Sequence, residues 1–209
     1  MKQTLLQLNS SLQSENGQST RLATEFVARW QERNPGATII VRDLNRDPVP
    51  HLTAERFQAF IIRPERRTAE QQAGVAYSDA LIDELKRADV IVLGLPMYNF
   101  DVPSTLKAYF DHIARAGVTF RYTGNGPVGL LSGKKVHVFA TRGGNYAGTA
   151  SDTQTAYVRT FLGLLGITDV NFVYAEGLAM SDAIRAAALG QARQAIERLN
   201  APQRVPMVA

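Results

Sequence analysis

The run Asp89-Val90-Ile91-Val92-Leu93-Gly94-Leu95 constrains this chain more than any other segment. It is apolar without the alternation of a half-exposed strand, so both of its faces must be covered, as in a central strand of a parallel sheet. Parallel neighbours cannot be joined by a hairpin and need a crossover of a dozen or more residues, usually a helix. Short apolar strands and helical periodicity should therefore alternate along the chain. They do.

Thr4–Leu8 reads as a first strand and ends in the polar loop Asn9-Ser10-Ser11-Leu12-Gln13-Ser14-Glu15-Asn16-Gly17. From Gln18 to Arg33 the spacing of Leu22, Phe26 and Trp30 predicts a helix, stopped by Asn34-Pro35-Gly36. Thr38–Val41 is a β-branched second strand, and helical stretches follow over Thr53–Ile62 and Thr68–Arg87. The third strand ends at Pro96, and Pro103–Ala116 resumes a helix. Strands over Val136–Ala140 and Val170–Tyr174 alternate with helices over Ser151–Leu165 and Asp182–Leu199. The pattern predicts one α/β domain over residues 1–200 with a C-terminal tail, 201–209, frayed from Pro202 onward.

Composition narrows the chemistry. Cysteine is absent, which removes thiolate nucleophiles, Fe–S clusters and Cys-ligated zinc. Any redox chemistry must then come from a bound organic cofactor or a metal held by other ligands. The three histidines, His51, His112 and His137, lie far apart without metal-ligand spacing. A net charge of +4, with the bases scattered, does not mark a nucleic-acid surface. With no leader-like start and no stretch of roughly 18 apolar residues, a cytoplasmic location is expected. There is no G-x-S-x-G elbow and no Walker A sequence. Gly124-Asn125-Gly126-Pro127-Val128-Gly129 spells G-x-G-x-x-G, yet Pro127 interrupts it and it lies far from the first strand, so the dinucleotide context fails.

In an open doubly wound sheet, ligands bind beyond the carboxyl ends of the strands. Three loops matter there. After the first strand, Ser10, Ser11, Ser14, Gly17, Gln18 and Ser19 precede a helix; these residues serve either as a phosphate cradle or as ordinary caps and turn formers. After the third, Pro96-Met97-Tyr98-Asn99-Phe100 concentrates apolar side chains around one amide. Such a loop either lines a flat aromatic cofactor or tucks its rings into the core. After the fourth, Thr141-Arg142-Gly143-Gly144 is either a plain turn or a pair of amide donors brought close to a ligand.

Taken together these loops resemble those of the FMN-dependent NADH-azoreductases, a bacterial branch of the flavodoxin-like quinone reductases. The matching pieces are Ser10-Ser11 with Gly17-Gln18-Ser19, Pro96 to Phe100, Ala114 to Thr123, Thr141 to Gly144, Gly166-Ile167-Thr168 and Ala175-Glu176-Gly177. The resemblance implies a flavodoxin-like α/β fold with a five-stranded parallel sheet, order 2-1-3-4-5, and helices on both faces. It implies one non-covalent FMN per subunit, with NADH or NADPH as electron donor. Ser11, Gly17, Gln18 and Ser19 would hold the phosphate; Met97, Tyr98, Asn99 and Phe100 would line the isoalloxazine; Thr141, Arg142, Gly143 and Gly144 would contact it from the other side. Tyr122, with Phe120 beside it, would bind the acceptor over the flavin.

The same resemblance implies ping-pong hydride transfer to quinones and azo compounds, without a side-chain nucleophile or a metal. It also implies a homodimer with interface active sites, in which the Phe57–Arg63 region caps the partner's site. Two positions depart from the family pattern. Gly17 stands where relatives often have Ser, so that a backbone N–H would replace one phosphate hydroxyl, and Leu164 stands where some relatives place an aromatic. A flavodoxin-type carrier is the rival reading, but such carriers tend to be smaller and strongly acidic. A phosphoacceptor receiver is excluded because Asn9-Ser10 and Pro96-Met97 occupy the places that need acids.

Overall fold

The computed structural model describes residues 2–201, so the expected tail from Pro202 lies outside the described residues. The elements run β1 (Thr4–Asn9), α1 (Gln18–Arg33), β2 (Thr38–Asp43), α2 (Ala54–Ile61), α3 (Ala69–Arg87), β3 (Val90–Pro96) and α4 (Ser104–Ile113). They continue with β4 (Phe120–Thr123), β5 (Gly126–Gly129), β6 (Lys135–Thr141), α5 (Thr153–Leu164), β7 (Asp169–Ala175) and α6 (Asp182–Leu199). Five strands form a sheet in the order β2-β1-β3-β6-β7, every pair parallel. Counting only the strands of that sheet, this is the expected order 2-1-3-4-5; the numbers differ because the antiparallel hairpin β4–β5 intervenes.

β3 is buried at all seven positions, and the pleat sends its side chains alternately to two cores. Val90 and Val92 join Leu22, Phe26, Ala192 and Ile196 under α1 and α6. Ile91, Leu93 and Leu95 join Leu81, Leu106, Tyr109 and Val158 under α3, α4 and α5. Gly94 has a separate task. A Cβ there would lie 3.2 Å from the carbonyl carbon and oxygen of Ser19, so its absence lets the first turn of α1 press directly on the central strand.

Two expectations required adjustment. Helix α4 ends at Ile113 rather than Ala116, because the Thr119 hydroxyl donates to the Ile113 carbonyl (2.6 Å) and accepts from the Arg115 amide (2.9 Å). Those bonds satisfy helix-end groups and turn the chain. The hairpin β4–β5 was not expected, since each arm has only four residues and Pro127 sits within one of them. Its base is fixed near the amino end of the sheet: the Leu131 amide donates to the Leu165 carbonyl, and Gly129 lies against the Leu165–Gly166 backbone.

His137 points into the α1 core, its ring 4.7 Å from that of Phe26. Burial, with Lys135 adding repulsion, pushes its pKa down to about 4. The ring is therefore neutral in the folded protein, and the stability it contributes is complete above its unfolded pKa of about 6.5 and lost as pH falls. Urea titrations should show His137 costing roughly 2 kcal/mol of stability between pH 7 and pH 5. His137→Gln should flatten that part of the profile; a variant with an unchanged profile would place the acid sensitivity elsewhere.

Candidate functional site

The loops after β1, β3 and β6 meet beyond the carboxyl end of the sheet. Ser10 docks through its amide (3.2 Å) and hydroxyl (2.8 Å) on the Gly94 carbonyl, and the Met97 amide donates to the Thr141 carbonyl (3.0 Å). The Tyr98 hydroxyl ties the first loop to the second, accepting from the Leu12 amide at 3.2 Å and lying 3.4 Å from Ser11 Oγ.

Helix α1 opens on an uncapped end. Gly17 supplies no capping side chain, and Arg21 is the first helical residue whose amide finds an acceptor, the Gly17 carbonyl at 3.0 Å. The amides of Gln18, Ser19 and Thr20 have no acceptor among the described residues. The hydroxyls of Ser19 and Thr20 are also buried without a partner, Ser19 being wholly inaccessible. Unpaired buried polar groups cost roughly 1–3 kcal/mol each. Their convergence with the positive end of a helix fits a phosphate.

This geometry corrects two expectations. The Gly17 amide cannot replace a phosphate hydroxyl, because it donates to the Ser14 carbonyl at 3.1 Å. A Cβ at position 17 would lie only 2.1 Å from Ser11 Oγ, so here Gly17 makes room for that serine. Ser11 itself is turned inward, accepting from the Gln13 amide at 3.2 Å as well as meeting Tyr98.

In the second loop, Tyr98 and Asp101 exchange amide–carbonyl bonds around Asn99 and Phe100, whose φ values are 50° and 64°. Both central residues are left-handed, which for non-glycine residues costs on the order of 1 kcal/mol or more each. The Asn99 and Phe100 amides find no acceptor among the described residues, and the Phe100 ring is half exposed. In the third loop, Gly143 and Gly144 have carbonyls bound by Ala179 and Gly177, while their amides likewise have no described acceptor. The Tyr146 ring folds over Gly144 and meets Phe100 edge-on at 5.4 Å.

Arg142 departs from its expected role as a ligand contact. Its guanidinium is fully buried, bonded to Asp152 (2.6 Å) and Glu176 (3.1 Å) and lying over the Tyr174 ring. Its amide and carbonyl pair with Ala175 and Leu178. Glu176 in turn accepts from the Tyr146 and Ala147 amides. Arg142 therefore shapes the Gly-Gly loop from beneath. Burial pushes the Asp152 carboxyl up, but bonds from Arg142 and Thr155 outweigh that and hold it below the ordinary range.

Phe120 and Tyr122 are not brought to these loops within one chain. Phe120 is buried, and Tyr122 packs edge-on against it at 5.4 Å, on the hairpin whose base lies near the opposite end of the sheet; Tyr122 is 74% exposed. Two clefts, of about 680 Å³ between α2 and α3 and about 700 Å³ at the amino end of the sheet, also lie away from the three loops. Among the described residues no His/Asp/Glu group is placed to hold a metal ion.

A parallel sheet in the order 2-1-3-4-5, with its β1/β3 switch point at the three loops, defines the flavodoxin-like class, and the family described as flavodoxin-like fold matches residues 3–199. An FMN-dependent NADH:quinone oxidoreductase of Burkholderia lata is 60% identical over 193 residues, 92% of this chain and 98% of that protein. A relative of the same description from Cellvibrio japonicus is 58% identical over 177 residues, covering 85% and 89% of the two chains. Among solved structures, an FMN-dependent NADH-azoreductase of Bacillus anthracis in complex with FMN is similar with TM-score 0.85 at 27% identity, covering 95% of this chain and all of that one. This chain belongs to the flavodoxin-like family of FMN-dependent NADH:quinone oxidoreductases.

Removing the buried cation should be costly, because Asp152 and Glu176 would remain without it. Arg142→Met is expected to lower stability by about 3 kcal/mol in denaturant titrations. A loss below about 1 kcal/mol would mean that the network is not needed for stability.

Proposed function

We propose that this protein is an FMN-dependent oxidoreductase that passes hydride from NADH to quinones and also cleaves azo compounds reductively. The observation that carries this reading is the set of unmet donors at one end of the sheet. Three helix amides, with the buried and unpartnered Ser19 hydroxyl beside them, are free for a phosphate, and four loop amides for a polar ring edge. The relatives named for FMN and quinone reduction extend over nearly the whole chain, which supports the reading.

When bound, FMN would supply the hydride-transfer chemistry between reduced nicotinamide and acceptor. The chain's part is to bind, orient and stabilise. The amides of Gln18, Ser19 and Thr20, with the Ser19 and Thr20 hydroxyls, hold the phosphate without a cationic side chain. Met97, Asn99 and Phe100 would form one wall for the ring, Tyr98 braces that wall on Ser11, and the Gly143 and Gly144 amides would supply donors for negative charge gained on reduction. Donor and acceptor take turns on one stacking surface, giving ping-pong kinetics. An azo bond needs two such rounds to yield two amines.

We further propose a cytoplasmic homodimer. No described helix is long and apolar enough to cross a membrane. Tyr122 sits exposed on its hairpin, away from its own chain's loops, and Phe57 and Ile61 are exposed on α2. A partner's site gives all three an apolar destination, with Tyr122 stacking over the ligand there and the Phe57–Arg63 region capping it.

The purified protein should be yellow, bleach anaerobically with NADH and turn over menadione and methyl red. A colourless protein that neither gains nor reduces added FMN would overturn the reading. Ser19→Ala should weaken FMN binding roughly tenfold in a fluorescence-quenching titration. Tyr122→Ala should raise the acceptor KM while leaving FMN affinity near wild type; the reverse pattern would remove Tyr122 from the acceptor surface.

A further inference from the structure

The first turn of α5 touches both ring-facing loops at once. Gln154 is completely buried, and its side-chain amide donates to the Pro96 carbonyl at 2.9 Å and the Asp101 carbonyl at 3.0 Å. Those carbonyls lie immediately before and after the Met97–Phe100 segment. Thr153, one residue earlier, donates its hydroxyl to the Phe100 carbonyl. Asp152, at the N-cap, accepts from Arg142 of the other loop at 2.6 Å.

The left-handed Asn99-Phe100 pair persists only if its surroundings over-determine it. The reciprocal Tyr98–Asp101 bonds close the turn but do not fix where it stands. Thr153 and Gln154 supply that fixing from outside the loop. Both donate to carbonyls of the loop, and the Asn99 and Phe100 amides, which have no acceptor among the described residues, are free for a ligand.

We infer that Gln154 and Thr153 are positioning residues for the cofactor: they clasp the 97–100 wall in register with the Gly143-Gly144 wall before the flavin arrives. The inference rests on the flavin reading above and adds residues to it that make no contact with the ring themselves. Without the clasp the strained turn relaxes and its amides rotate away. Oxidised and reduced flavin lose different amounts, because the donors meet different charge in the two states.

The test compares full-length wild type, Gln154→Met, Thr153→Val and Thr153→Ser, each stripped of flavin and titrated with FMN well below its melting temperature. Gln154→Met keeps the length of the side chain without its donors, Thr153→Val keeps the shape without the hydroxyl, and Thr153→Ser keeps the hydroxyl. Gln154→Met and Thr153→Val should each raise the FMN Kd roughly tenfold and displace the flavin midpoint potential, whereas Thr153→Ser should stay near wild type. A tenfold difference in how the two redox states are weakened corresponds to ~30 mV for a two-electron couple.

If Gln154 and Thr153 only hold the end of a helix, melting temperatures will fall while FMN affinity and potential stay at wild-type values. That result overturns the inference and leaves the flavin reading standing. Wild type that binds no FMN overturns both, and shows it before any variant is made.

Discussion

A strand buried on both faces has nowhere to place its side chains except against helices on either side. For β3 that constraint governs the rest of the molecule. It requires parallel neighbours, which require crossovers, and crossovers return every strand in the same direction. The loops after β1, β3 and β6 are therefore delivered to one edge of the sheet. The close approach allowed by Gly94 adds a helix terminus to that edge, seated on the central strand with its first amides unpaired among the described residues.

The site is polar where a ligand would need donors and braced where it would need rigidity, and different residues carry the two tasks. Ser19, Gly143 and Gly144 leave donors unspent. Arg142 and Gln154 spend theirs on the carboxylates of Asp152 and Glu176 and on loop carbonyls, while Tyr98 accepts from the Leu12 amide. Preorganisation of this kind bears its cost at folding, so that little reorganisation remains when charge develops on a ligand.

Much of this was legible in the chain itself. Strand cores and helix spans follow from apolar periodicity, and α1 and α6 begin and end where that pattern does. The three loops could be singled out because strand-end position is a topological property. Side-chain commitments were less legible. Arg142 beside two glycines reads locally as a ligand-facing cation, and only the tertiary placement of Asp152 and Glu176, 10 and 34 residues away, shows it to be internal. Gln154 gave no local signal, since its partners lie more than 50 residues back. The Asp152 cap over Thr155 could have been read from spacing. Tyr122 was singled out only through the family resemblance, and its distance from the loops depends on a hairpin too short to show periodicity.

The left-handed turn at Asn99-Phe100 has a bearing on how this protein can be changed. Glycine at either position would relieve the backbone, and a search for thermostable variants would find such substitutions attractive. At position 100 the same substitution would delete the exposed ring that meets Tyr146 and that is proposed to form one wall of the ligand site. If Phe100 lines the ligand as proposed, robustness and function pull that residue in opposite directions, and improving the scaffold by the usual rules would select against its working part.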